Sequence, residues 1–303
     1  MCPPDYYEVG YAINPWMDGN AGRMDRERAR AQWEILRWSI SQVAEVVTMD
    51  PEPGLPDMVF TANAGVVYGN RAIASHFMPM ERRPEEPYYK RWFGANGFEL
   101  YQLPEDIGFE GAGDALIDRG GPWLWAGYGF RTEIEAHPHI ASWFDLELVS
   151  IRLVDERFYH IDTCMCPLEG GYLLYHPPAF DEESRAEIER RVHKEKRIAV
   201  SVDNAGHFAC NAVNVGDRIF LHRTRGRLIP ALEDKGFHVL PVGRGGNELP
   251  LGAGADKVDN VFVFSVLLSL AGEQADPQAL LGHTLLSYLE GCRTQPEAGR
   301  RPR

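Results

Sequence analysis

The stretch Phe-Tyr-His-Ile-Asp at residues 158–162 decides how the rest of the chain is read. It is not alone. "FTAN" at 60–63, "FEGAGD" at 109–114 and "FACN" at 208–211 have the same form, a phenylalanine followed by small, polar or reactive residues. Their leading phenylalanines, Phe60, Phe109, Phe158 and Phe208, are separated by 49, 49 and 50 residues. A fixed period of this length marks repeated supersecondary units.

What lies between the motifs supports a unit of two strands, a helix and a strand. "DMVFTANAGVVYGNRAIAS" reads as two strands around a Tyr-Gly-Asn turn. "EEPYYKRWFGANGFELYQL" reads as a helix, a glycine stop and a strand. "DALIDRGGPWLWAGYG" and "NAVNVGDRIFLH" repeat the strand-turn-strand pattern, and "GRLIPALEDKGFHVLPV" repeats the helix, stop and strand. "EESRAEIERRVHKEK" is expected to be an exposed, charged helix. Over 26–47, Trp33, Leu36, Ile40 and Val43 fall on one helical face. One step back from Phe60 reaches "YAINPWMD" near residue 11, and one step forward from Phe208 reaches "LGAGADKVDN" near residue 257. Five units fit. A closed ring of them would bring the strand ends to a central channel, a natural place for a site.

Composition narrows the function classes. The 303 residues carry 31 Lys and Arg against 44 Asp and Glu, a formal net charge of −13. That balance argues against a nucleic-acid surface, which needs clustered cations, and is compatible with a small cationic ligand. The longest apolar run, "VFVFSVLLSLA" at 261–271, is too short to span a bilayer. "MCPPDYYEVG" does not look like a signal peptide. Five cysteines are odd in number and sparse, which fits a reducing cytosol and a cytoplasmic protein. Cys164 and Cys166 lie close to His160, but no second ligand pair completes a closed zinc set, so they are expected to be packing residues and no metal is expected.

Six segments, "YAINPWMD", "GLPDMVFTANAG", "FEGAGDALI", "GYGFRTE", "RFYHIDTCMCPL" and "FACNAVNVGDRIFLH", occur in the order found in the guanidino-group modifying superfamily. The chain resembles this superfamily, which includes arginine deiminase, dimethylarginine dimethylaminohydrolase, arginine dihydrolase and the amidinotransferases, from about residue 5 to about residue 245. The resemblance implies an α/β fold, a five-bladed pseudo-symmetric propeller of ββαβ repeats called pentein. It implies C–N bond hydrolysis or amidino transfer on arginine or a modified arginine, without a cofactor. The chemistry is coherent: a guanidinium is flat, delocalised and protonated at neutral pH. It needs acceptors at its edge, a strong nucleophile, an acid for the leaving amine and a base for hydrolysis.

Carried over residue by residue, the resemblance makes His160 the acid/base. Glu110 is implied as a catalytic carboxylate that binds guanidinium nitrogens, and Asp57 as a second acceptor. Asn14 and Asn63 match substrate-binding positions of the arginine dihydrolase branch. Arg131 and Arg82 match clamps for a substrate carboxylate, with Arg83 the adjacent alternative to Arg82. Asp114 is either a partner of the site or a turn former, and Asp162 is expected to orient His160 or the local structure. The dimethylaminohydrolase branch has an acidic pair where this chain has Ala62-Asn63, which points away from that branch for substrate identity.

The family ends in a glycine-rich turn running into a nucleophilic cysteine. The corresponding stretch is "LGAGADKVDNVFVF", with Val258 in the cysteine slot. Three readings follow: a pseudoenzyme that keeps the pocket without the chemistry, a nucleophile moved to Cys292 in "EGCRTQP", or a carboxylate role for Asp256 or Asp259. The domain is expected to span 1–265, followed by a helical extension with a disordered tail over 266–303. "DPQALLGHTLLSYLEG" reads as a helix whose leucines need a partner, either the domain itself or a second copy in a homodimer.

Overall fold

The computed structural model describes residues 1–222 and 224–242. Helix α1 (Arg26–Ser41) opens on Asp25, whose side chain accepts from the Arg28 N–H and so satisfies one of the open amides of the first turn. It buries Ala29, Trp33, Leu36 and Ile40, three or four residues apart. Val43 lies past the helix end and packs, partly buried, against the cluster that holds Leu36 and Ile40.

Four units follow. The first has β1 (Gly65–Tyr68), β2 (Arg71–Ala74), α2 (Glu86–Ala95) and β3 (Glu99–Gln102). The second has β4 (Ala115–Ile117), β5 (Trp123–Tyr128), α3 (Ala136–Phe144) and β6 (Glu147–Arg152). The third has β7 (Met165–Leu168), β8 (Tyr172–Tyr175), α4 (Glu182–Arg191) and β9 (Arg197–Ala199). After the short α5 (Val202–Ala205) comes the fourth, with β10 (Val213–Val215), β11 (Arg218–Leu221), α6 (Leu228–Glu233) and β12 (His238–Pro241). In each unit the first two strands form an antiparallel hairpin and the third pairs parallel with the second. The helix is the crossover that a parallel pair requires. The result is four separate three-stranded sheets, and no barrel closes among the described residues.

Strands this short cannot build a core alone, so neighbouring units share one. Val66 and Ile73 of the first unit cluster with Ala115, Leu124 and Ile140 of the second. Trp125 and Ile151 of the second cluster with Leu173 and Ile198 of the third and Ile219 and Leu232 of the fourth. The segment around residue 11 forms bends and turns rather than a strand. The unit expected near residue 257, the boundary at 265 and the extension over 266–303 lie outside the described residues.

The periodic motifs occupy the turns before the first strand of each unit. Single 3-10 turns at Thr61–Ala64, Gly111–Gly113 and Ile161–Thr163 carry them. Hydrogen bonds link these turns in series. Asn63 Nδ2 donates to Glu110 O at 3.4 Å, the Ile161 N–H donates to Asp114 Oδ1 at 3.1 Å, and Asn211 Nδ2 donates to Asp162 O at 3.1 Å. The glycines of "FEGAGD" permit the close approach. Gly111 has φ +60°, and a Cβ there would lie 2.7 Å from Gly65 N. A Cβ on Gly113 would lie 2.2 Å from Asn63 Nδ2.

Candidate active site

Where the turns converge, a concave pocket of about 660 Å3, solvent at its mouth included, is lined by Asn14, Asp57, Asn63, Arg82, Arg131, His160 and Asp162. Seven residues singled out from sequence thus meet in one place, although they come from five separate stretches. Glu110 and Asp114 do not line it. They are 0% and 1% exposed and hold His160.

His160 follows the third phenylalanine and sits in extended backbone just before its 3-10 turn. Its Nδ1 is 2.9 Å from Asp114 Oδ2 and its Nε2 is 3.2 Å from Glu110 Oε2. Burial alone would lower its pKa, but the Asp114 and Glu110 carboxylates outweigh burial and raise it to about 9. The imidazole is therefore protonated at neutral pH. Asp114 is itself fixed, because the Thr132 hydroxyl donates to Oδ2 at 2.8 Å and the Ile161 N–H donates to Oδ1. This geometry decides between the two sequence readings of Asp114 in favour of a partner of the site.

Glu110 also receives Arg131 Nη1, at 3.1 and 3.3 Å. Burial pushes its carboxyl up, yet the hydrogen bond from His160 and the Arg131 charge bring it below the usual range. Arg131 Nη2 donates to Ile13 O at 2.6 Å, and its guanidinium lies over the Tyr159 ring, 4.8 Å from the centroid. With Arg131 and His160 on it, Glu110 is already partnered by groups of the protein.

The opposite wall is built on Arg82. Its Nε and Nη2 grip Glu85 at 3.1 and 2.8 Å, Nη1 donates to Asn63 Oδ1 at 3.0 Å, and Nη2 also reaches Asp57 O at 3.1 Å. Arg83, the adjacent alternative, instead donates to Phe77 O. The grip on Asn63 Oδ1 turns its Nδ2 toward Glu110 O and toward His160 Nε2 at 3.4 Å.

Asp57 is 2% exposed. Tyr11 donates to its Oδ2 at 2.9 Å, while Oδ1 is buried with no hydrogen-bond partner. Burial pushes its carboxyl up, against the pull of Arg82 and of the Tyr11 hydrogen bond. Asp162 is pushed up to about 7 by burial, with His160 pulling it down and Asp114 adding to the rise. Asn14 turns its Oδ1 to the Trp16 and Met17 N–H groups, at 3.0 and 3.1 Å.

Several lining or supporting residues did not figure among the sequence candidates. Trp16 packs against Phe208 with ring centroids 4.8 Å apart and planes tilted by 60°, and both line the pocket. Phe208 is the last of the periodic phenylalanines, and it has φ +55°. Tyr159 lies inside "FYHID" itself. Period and motif could have flagged both. Thr132 and Tyr11 act through contacts between segments well separated in sequence, which no local pattern shows, whereas Glu85 meets Arg82 only three residues away.

Cys2, Cys164, Cys166 and Cys210 are buried, and none lines the pocket. Burial pushes the Cys166 thiol up to about 12 and those of Cys164 and Cys210 well above the usual range. A nucleophilic cysteine needs the opposite shift. Among the described residues no group of three or more His, Cys, Asp or Glu could hold a metal ion, and no helix is long and apolar enough to cross a membrane. Cys292, Val258, Asp256, Asp259 and the helix proposed to join a homodimer lie outside the described residues.

Comparison with known proteins gives this arrangement a family. The family model described as N,N dimethylarginine dimethylhydrolase, eukaryotic, matches residues 17–224. The N(G),N(G)-dimethylarginine dimethylaminohydrolase of Mycobacterium tuberculosis is 37% identical over 258 residues, 85% of this chain and 82% of that protein. This chain belongs to the dimethylarginine dimethylaminohydrolase family. Within the guanidino-modifying family, the bifunctional arginine dihydrolase/ornithine cyclodeaminase ArgZ of Synechocystis is 57% identical over 239 residues, 79% of this chain. The match spans 34% of the length of ArgZ. A crystal structure of the N-terminal domain of ArgZ, a cysteine-to-serine variant bound to substrate, matches with a TM-score of 0.79 and 56% identity, covering 80% of this chain and 89% of that one. The guanidino-modifying resemblance read from the six motifs is thereby established.

Proposed function

We propose that this family member binds arginine or a modified arginine by its guanidino group and cleaves a guanidino C–N bond by hydrolysis. One observation carries the reading: Asp57 Oδ1 is a buried carboxylate oxygen without a partner in a pocket already lined by amides. Leaving such a group unmet is unfavourable, and a guanidinium N–H would meet it. The likeness to ArgZ, described as an arginine dihydrolase, and the absence of the acidic pair at Ala62-Asn63 support arginine over its dimethylated form.

In this reading Asp57 and Asp162 accept from the guanidinium edge, and Asn14 and Asn63 set its plane. Arg131 leaves Glu110 to meet a substrate carboxylate, while Arg82 braces the wall. His160, charged at neutral pH, gives a proton to the departing nitrogen. Once neutral, it takes one from the water that bonds to the guanidino carbon and displaces the nucleophile, a group that lies outside the described residues. No described cysteine is placed to attack. The second reading, carried by the sequence expectation that Val258 takes the cysteine slot, is a binding protein that keeps the pocket without turnover.

Mass-resolved turnover of a panel of arginine derivatives, run beside ligand-induced thermal shift, tests both. Turnover lost in His160→Ala supports the hydrolase, and its survival in Cys292→Ala eliminates Cys292 as nucleophile. Thermal shift without turnover assigns the binding role. If no guanidino compound shifts melting, the substrate class is wrong.

A further inference from the structure

Asp57 is held in an unsymmetrical way. One carboxylate oxygen, Oδ2, accepts the Tyr11 hydroxyl at 2.9 Å, and the other is buried and unpartnered. Its main-chain oxygen is fixed separately by Arg82. Tyr11 comes from the segment that also supplies Ile13 O to Arg131 and places Asn14 and Trp16 at the pocket, yet it does not line the pocket itself. We propose that Tyr11 is a positioning residue for the guanidinium acceptor: its hydroxyl occupies Oδ2, sets the carboxylate plane and leaves Oδ1 as the single open acceptor. This rests on the guanidino-binding reading of Asp57.

A carboxylate with one oxygen pinned presents the other in a fixed direction, which a planar guanidinium requires and a freely rotating carboxylate lacks. A phenol O–H donates only to an acceptor, so this bond favours the ionised carboxylate. Ionisation is what a cationic ligand needs. The charged groups acting on Asp57 are Arg82 and Arg131, which favour its charge, and Glu110 and Glu85, which oppose it. Tyr11 donates to Asp57 Oδ2 before a ligand arrives.

The test is Tyr11→Phe, which removes one oxygen and keeps the ring. Asn20→Ala serves as control, because Asn20 Nδ2 ties the same loop through Trp16 O at 2.8 Å without touching Asp57. The Asp57 carboxyl is titrated by 13C NMR in the ligand-free proteins, and L-arginine affinity is measured by calorimetry across pH. In Tyr11→Phe the Asp57 midpoint rises by about one unit and arginine binds roughly tenfold more weakly at pH 7. Asn20→Ala leaves the midpoint in place. An unmoved midpoint in Tyr11→Phe overturns the proposal, as does an equal rise in both variants, which would reduce Tyr11 to a loop tether. Because the carboxyl titration needs no ligand, it stands apart from the functional reading, which fails if the unaltered protein binds no guanidino compound.

Discussion

Glu110 and Asp57 are both buried carboxylates within the same site, at 0% and 2% exposure, and their carboxyls shift in opposite directions. Glu110 has His160 and Arg131 upon it and is held below the usual range. Asp57 has one phenol on one oxygen and is pushed above it. Burial acts on both alike, so the difference lies in the partners. The Glu110 wall is complete without a ligand and serves to charge and aim His160. The Asp57 wall is incomplete, and a buried acceptor without a donor is where a ligand supplies what the fold leaves out.

The sharpest way to break this contrast is to damage the brace behind the incomplete wall. Arg82→Met strips Glu85, 0% exposed, of its cation and leaves only the Tyr89 hydroxyl on it. Breaking a buried pair on one side costs about 3–5 kcal/mol, and urea unfolding should show a loss of that size. A loss below about 1 kcal/mol would mean that Glu85 takes a proton cheaply and that the brace is not ionic.

The complete wall can be tested through pH. His160 has its pKa raised from 6.5 to about 9, so its pairing stabilises the fold fully below pH 6.5 and is lost as pH rises through about 9. The contribution is on the order of 3 kcal/mol. Stability measured from pH 6 to 9.5 should fall over that window in the unaltered protein and much less in His160→Gln. A flat profile in the unaltered protein would show that the imidazole is neutral throughout.

The contact between the walls is steric. The added Cβ in Gly113→Ala would fall 2.2 Å from Asn63 Nδ2 and 3.3 Å from His160 Cγ, so one of them must move. Overpacking of this kind costs about 1–3 kcal/mol. Arginine binding should weaken along with stability, since Asn63 lines the pocket. Unchanged affinity would place Asn63 outside the ligand contacts.

The units were legible because short strands between turn signals leave a strong local pattern. The hairpins at Tyr68–Arg71 and Val215–Arg218 and the helix-stop-strand of α2 and β3 fall where residue types alone put them. The pocket residues were legible as a set through the resemblance to the guanidino-modifying superfamily, and the period of about 49 places four of the motifs at equivalent turns. The division of labour was not legible. In the ligand-free site Glu110 pairs with His160 and Arg131, and Arg82 holds Glu85 and Asn63, partners that the motifs do not specify. Those outcomes depend on which side chain reaches across from another segment of the chain, as Thr132 does to Asp114 and Tyr11 to Asp57. Spacing along one segment carries no record of such contacts.

Asp162 sits between the two extremes and gives the smallest predicted effect. It lines the pocket, faces the charged His160 and is pushed up to about 7, so near neutral pH it is only partly ionised. A guanidinium gains an ionic partner as Asp162 loses its proton, so arginine affinity should rise as pH increases through about 7. In Asp162→Asn that step should vanish, with affinity at pH 8 reduced several-fold, a loss of about 1 kcal/mol. Stability should change little, since the bond from the Asn211 amide to the Asp162 main-chain oxygen remains when the side chain is changed. The same binding step persisting in Asp162→Asn would assign the neutral-range titration to another group, and Asp162 would then belong with the complete wall that orients His160.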